Sequence, residues 1–223
     1  MNLKYTEFNF TLYEVHTMVF SRIEERSKVL DIGCATGYFA KELQNKNCKT
    51  WGVEVDREAA KVAEKYCERV EVADLEREKK LPFKKGVFDY VLFLDVLEHA
   101  RNPQEILQYS NQFLKRDGYI IISTPNIAHI SMRLKLLFGN FDYEKKGIMD
   151  ETHIHFYTRK TLQELIQKSG LYCSELIYSS DFGQLPYVGR FLKKIPKVYQ
   201  YLITRIISTL LGVQFIAICS KRK

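Results

Sequence analysis

The residues best suited to chemistry in this 223-residue chain lie where short apolar runs end. One group is Asp31-Ile32-Gly33-Cys34-Ala35-Thr36-Gly37, a carboxylate followed by small residues at alternating positions and then Tyr38. Small side chains let the backbone approach a bound ligand closely, and amide N–H groups at a helix start favour an electron-rich group. A second is Glu54, 17 residues after Gly37. An acid there can accept hydrogen bonds from both hydroxyls of a ribose. A third is Asp95-x-x-Glu98-His99. On a helix, positions i, i+3 and i+4 share one face, and three such ligands can hold a divalent cation. The fourth is His153-Ile154-His155, because an imidazole titrating near pH ~6.5 suits proton transfer from an acceptor hydroxyl.

These groups need elements to position them. KVLDIG is a short buried strand ending at the glycines, and residues 37–46 place Phe39, Ala40 and Leu43 on one helical face. TWGVEVD, VEVADL and FDYVLFLD read as further strands, the last too apolar for an edge and so central in a parallel sheet. Helices are predicted over 11–26, 57–68 and 103–115, the last with Pro103 in its first turn. Asp117-Gly118 reads as a turn before the strand YIIISTP. Residues 126–157 read as irregular. Thr158 is a plausible N-cap for RKTLQELIQKS, with Gly170 past its end. Residues 171–178 and 213–220 are the last two strands. Strands alternating with helices in this way predict one doubly wound α/β sheet with right-handed crossovers.

With these elements in place, Asp31 to Gly37 resembles the first motif of class I S-adenosylmethionine (SAM)-dependent methyltransferases. That pattern has an acid and then glycines at three alternating positions, the middle one being Ala35 here. Alanine is the smallest change available and is expected to keep an ordinary φ. The resemblance extends through the WGVE strand, Ala73-Asp74-Leu75, FDYVLFLDVLEH and LKRDGYIIISTPN, over roughly residues 25–180. DETHIHFYTRKTLQELIQKSGL is similar to bacterial small-molecule and glycan-type members.

The resemblance implies a Rossmann-like, mostly parallel seven-stranded sheet with a late antiparallel strand and helical additions near both ends. It implies a single domain over 1–223: a helical element (1–26), a SAM-binding half (27–125) and an acceptor-side half (126–223). It also implies roles. Gly33, Ala35 and Gly37 would line the methionine part of SAM, and Asp31 would hold the loop. Glu54 would bind the ribose. Asp74 would accept from the adenine amino group beside Leu75, and Leu94 and Asp95 would flank the sulfonium. Cys34, Tyr38 and Val55 complete the expected lining. Asp95, Glu98 and His99 are similar to a segment of ubiquinone-pathway O-methyltransferases that carries Glu at the first position. The bland alternative is that Glu98 and His99 only stabilise the loop. His153, His155 and Asp95 are the candidate catalytic residues, and Phe138, Phe141, Tyr143, Phe156 and Tyr157 a candidate apolar lid.

Composition narrows the function classes. From Asp181 onward there are eight bases and one acid, whereas the first 180 residues hold 26 of each. A neutral body argues against DNA as partner, since phosphate tracking needs a basic surface. The five scattered cysteines form no CxxC pair, which fits a reducing cytoplasm. In 190–212, Tyr199, Leu202, Ile203, Ile206 and Leu210 fall at helical spacing among basic residues. That segment suits contact with an anionic membrane surface or a lipid-linked substrate; packing on the sheet and a homodimer contact are the alternatives. The reading is a SAM-dependent methyltransferase acting on a small-molecule or glycan acceptor at oxygen. Its rivals are a nucleotide-dependent oxidoreductase, a non-catalytic SAM-binding protein and a lipid-surface binding module.

Overall fold

The computed structural model describes residues 7–77, 80–185 and 188–222. Seven strands form one sheet: β1 (Lys28–Ile32), β2 (Lys49–Glu54), β3 (Arg69–Val72), β4 (Phe88–Leu94), β5 (Leu114–Pro125), β6 (Leu171–Ser180) and β7 (Gly212–Lys221). Their order is β3-β2-β1-β4-β5-β7-β6. The first five are parallel, and β7 runs antiparallel to both its neighbours, as expected. The chain starts mid-sheet at β1, winds out to β3 and returns to β4. The order therefore reverses between β1 and β4, and the crevice beyond their carboxyl ends is where this architecture binds ligands.

Side chains alternate across the strands and build two apolar layers. Leu30, Ile32, Val91, Phe93, Ile120 and Ile122 pack on one side with Leu107 of α4 (Pro103–Asn111) and with Leu162 and Ile166 of α6 (Arg159–Lys168). Val29, Leu92, Leu94, Ile121 and Ile216 pack on the other with α1 (Val15–Arg22) and with Phe39 and Leu43 of α2 (Tyr38–Leu43). Asp56 caps α3 (Arg57–Ala63), accepting from the Glu58 and Ala59 amides at 2.8 and 3.3 Å. Thr158 caps α6 in a reciprocal pair with Thr161.

Three local expectations need correction. Helix α1 starts at Val15, not 11; residues 1–6 of the N-terminal element lie outside the described residues. The segment 126–157 contains α5 (Ile130–Leu137), in which only Met132 is buried, so no apolar stripe announced it. The cap is His129, whose ring accepts from the Ser131 amide. Asp117-Gly118 lies inside β5, not in a turn before it. Leu114 pairs with Phe88 but Tyr119 with Tyr90, so extra residues bulge out of the ladder. A Cβ on Gly118 would stand 2.8 Å from the Asp89 carbonyl, which explains the glycine.

Candidate active site

The loop after β1 takes a left-handed conformation at alternate positions: Gly33 (φ +75°), Ala35 (φ +48°) and Gly37 (φ +73°). Ala35 therefore does not keep an ordinary φ; it occupies a region that costs an L-residue about 1–2 kcal/mol. Hydrogen bonds offset that strain. The Ala35 amide donates to Glu54 Oε2 at 2.8 Å, and the Gly33 and Cys34 amides donate to the Val53 carbonyl at 2.8 and 3.1 Å. Glu54 Oε1 accepts from the Val55 and Asp56 amides at 2.8 and 3.0 Å. One carboxylate thus ties the glycine-rich loop to the end of β2.

Three residues of β1 and the loop after it support the site from behind. Asp31 is buried at the end of β1. Burial, and then the charge of Glu54, push its carboxyl up to about 8. Cys34 packs where a Cβ on Gly52 would meet its Sγ at 2.6 Å, and burial pushes the thiol far up, so it is a packing group and not a nucleophile. Gly37 lies against the backbone of Ala63 in α3.

In front of the loop lie two adjoining cavities of about 500 and 290 Å³ that share Gly33, Glu54, Val55, Val96 and His99. The larger reaches Ala35, Tyr38, Leu94 and Asp95, and the smaller reaches Asp74 and Leu75. Nine of the expected cofactor residues therefore line one cleft across the ends of β1, β2 and β4. Asp74 closes its own turn by accepting from the Glu76 amide at 2.9 Å and pairs with Arg77 at 3.4 Å.

His16 of α1 also lines this cleft, and sequence reasoning missed it. Its Nδ1 accepts from the Asn9 amide at 2.8 Å, so in the neutral ring Nε2 carries the proton, 3.4 Å from the Tyr38 hydroxyl. Burial holds its pKa below the ordinary value. Nothing in a lone histidine on a helix signals contact with a loop 22 residues away.

Asp95 stands at the junction between this cleft and a further cavity of about 210 Å³ lined by Glu98, Asp150, His153 and Gln214. Its φ is +55°, and its Oδ1 accepts from Ser123 Oγ and Gln214 Nε2, both at 2.8 Å. Residues 97–99 form a turn after a bend at Asp95, and no helix covers 95–99, so the expected common face of Asp95, Glu98 and His99 does not exist. Donor atoms of Glu98, His99 and His153 instead lie within 4.8 Å of one another, without Asp95. His99 and His153 each turn Nδ1 to a backbone carbonyl at 3.1 Å, that of Thr152 and of Ile148 respectively, which leaves Nε2 as the ligating atom. Both Glu98 oxygens are buried without a hydrogen-bond partner, as is the nearby Thr124 hydroxyl. Burial, and then Asp95, hold the Glu98 carboxyl well above its usual range. One carboxylate and two imidazoles fit a borderline divalent cation such as zinc.

The segment carrying the histidines is pinned over this turn. The Ile154 and His155 amides both donate to the Glu98 carbonyl, at 2.9 and 3.0 Å. His153 is buried and faces the cavity. His155 is not brought there: its Nε2 lies 3.4 Å from the Arg101 carbonyl and its ring stacks on Tyr157. Of the candidate lid aromatics, Phe141, Tyr143 and Phe156 form one cluster, Tyr157 belongs to the core, and Phe138 is exposed.

The sequence pattern of the methyltransferase-domain family matches residues 5–176. The chain belongs to this family. It is a SAM-dependent methyltransferase, and the cleft lies where its fold binds ligands. An uncharacterised protein of Methanocaldococcus jannaschii is 36% identical over 167 residues, 75% of each chain. A ubiquinone biosynthesis O-methyltransferase of Shewanella halifaxensis is 26% identical over 182 residues, 77% of this chain and 74% of that enzyme. Among solved structures, a SAM-dependent methyltransferase of Thermotoga maritima superposes with a TM-score of 0.65 at 17% identity, covering 94% of this methyltransferase and 89% of that chain. A Haloferax volcanii methyltransferase in complex with the Trm112 activator gives 0.64 at 16% identity, over 93% and 88% of the two chains.

Proposed function

We propose that this methyltransferase transfers the methyl group of SAM to an oxygen of a small-molecule or glycan-type acceptor. The acceptor binds in the cavity walled by Asp95, Glu98 and His153. The observation that carries this reading is the position of Asp95, which lines both the cofactor cleft and the His153 cavity. A methyl donor in the first and an acceptor in the second would meet there.

SAM would lie along the cleft, its ribose hydroxyls at Glu54, its adenine between Asp74 and Leu75, and its sulfonium near Leu94 and Asp95. With no cation held at Nε2, His153 is suited to act as base. Burial lowers its pKa, and the bond from Nδ1 to the Ile148 carbonyl leaves the Nε2 lone pair open. The acceptor hydroxyl would give its proton to Nε2 of His153, and the imidazolium would return that proton to solvent. Bound SAM would supply the methyl group to the acceptor oxygen and leave as S-adenosylhomocysteine. Positioning can supply roughly 7–11 kcal/mol of the acceleration, and a placed base about 100-fold or more.

The test is transfer of label from methyl-labelled SAM to a panel of phenols, sugars and amines. Label on hydroxyl-bearing acceptors, lowered about 100-fold by His153→Ala at unchanged SAM affinity, is expected. Transfer to amines alone would refute the oxygen assignment. Unchanged turnover in His153→Ala would remove that residue from the mechanism.

A further inference from the structure

Beyond the short helix α7 (Gly189–Leu192), helix α8 (Lys197–Ile206) inverts the usual burial of an amphipathic helix. Its buried residues are Gln200 and Thr204, both polar. Gln200 Oε1 accepts from the Phe182 amide at 3.0 Å, and its Nε2 donates to the Ile195 carbonyl at 2.6 Å. Thr204 Oγ1 meets Ser180 Oγ at 2.8 Å. Lys197 reaches Asp181 at 3.2 Å and Glu14 at 3.5 Å, and Tyr201 stacks on Tyr13 with centroids 4.3 Å apart. These bonds fix the helix about its own axis. Rolling its apolar side inward would orphan buried polar groups at a cost in stability for each.

The apolar side is consequently held outward. Tyr199, Leu202 and Ile203 are exposed, Ile206 is 82% exposed, and Phe191 of α7 is 70% exposed. Around them Arg190, Lys193, Lys194 and Arg205 are exposed and make no ion pair among the described residues. No acid follows Asp181 in the chain. No described helix is long and apolar enough to cross a membrane.

We infer that the outer face of α8, with its basic surround, docks this methyltransferase on an anionic lipid bilayer surface. Apolar side chains flanked by Lys and Arg are the combination that an in-plane interfacial helix requires. Charge complementarity selects the bilayer over a second copy of this chain, since self-association through a uniformly basic patch sets like charges against each other. The inference rests on neither the acceptor nor the chemistry proposed above.

The test is sedimentation of the full chain with vesicles of phosphatidylcholine, with and without phosphatidylglycerol, at low and high salt. Binding to the anionic vesicles that weakens with salt is expected. Ile206→Glu should weaken it at least about tenfold, and Lys193→Glu with Lys194→Glu about 30-fold or more. These positions are exposed, so melting temperature and SAM affinity should stay at wild-type values, which separates failure here from failure of the cofactor site. No binding to anionic vesicles, or undiminished binding by Ile206→Glu, would overturn the inference. So would a dimer in ultracentrifugation that Ile206→Glu abolishes while vesicles stay unbound, since a second copy would then occupy the face.

Discussion

Replacing Gly37 by alanine should damage both the fold and the cofactor site, by an amount that the structure divides into two parts. The backbone there has φ +73°, and a Cβ would stand 2.9 Å from Ala63 Cα and 3.1 Å from Ala63 Cβ. Left-handed φ costs an L-residue about 1–2 kcal/mol, and forcing a methyl group into a packed helix–helix contact costs about 1–3 kcal/mol more. The expected loss is roughly 2–5 kcal/mol, or a fall in melting temperature of about 4–20 °C for a chain this size. Gly86 supplies the control. It has a similar φ of +66° but nothing within 4 Å of its would-be Cβ, so Gly86→Ala measures the strain alone, about 1–2 kcal/mol. Chemical denaturation of wild type and both variants tests the division. In Gly37→Ala the start of α2 must also move away from α3, carrying the Ala35 amide with it, so SAM affinity should fall in calorimetric titration. If Gly37→Ala cost no more than Gly86→Ala, the packing argument would be wrong.

Glu54→Ala removes the acceptor of three backbone amides and the expected ribose ligand. SAM affinity should fall about 10–100-fold, each hydrogen bond to a charged group being worth about 1.5–3 kcal/mol; unchanged affinity in calorimetry would sink the cofactor assignment. Asp31 gives a pH dependence. Its folded-state pKa of about 8 lies above the ordinary 3.8, so the unfolded chain releases this proton first. Its contribution to stability is present below the ordinary value and is lost as pH rises toward about 8. Asp31→Asn should flatten the fall in denaturation free energy over that window, and parallel profiles for variant and wild type would contradict the assigned burial. If the charged groups of bound SAM lie near this carboxyl, binding near neutral pH should release protons. Titrations in buffers of different ionisation enthalpy read this directly.

Much of this methyltransferase was legible in its sequence because the signals are local. Short apolar runs mark the strands, and Thr158 marks the start of α6 by its cap. Asp31, Glu54, Asp74 and Asp95 each stand at or just past the end of a strand, and strand ends are where a doubly wound sheet collects its ligand residues. Helix α5 was hidden because it buries little beyond Met132, so it leaves no apolar period to read.

The sequence by itself determined the strands, the doubly wound and mostly parallel class of the sheet, and most of the residues that line the cleft, since apolar runs and the acids at their ends are local signals. Contacts between distant segments were left to the tertiary structure. Gln214 reaches Asp95 from 119 residues away, and His16 joins the cleft because α1 packs across α2. His153, not Asp95, joins Glu98 and His99 because a positive φ at Asp95 replaces the helix that spacing suggested with a turn. The outward turn of the apolar side of α8 was decided in the same way. Helical spacing shows that two faces exist, but the hydrogen bonds that join Thr204 to Ser180 and Gln200 to Phe182 choose which of them is buried.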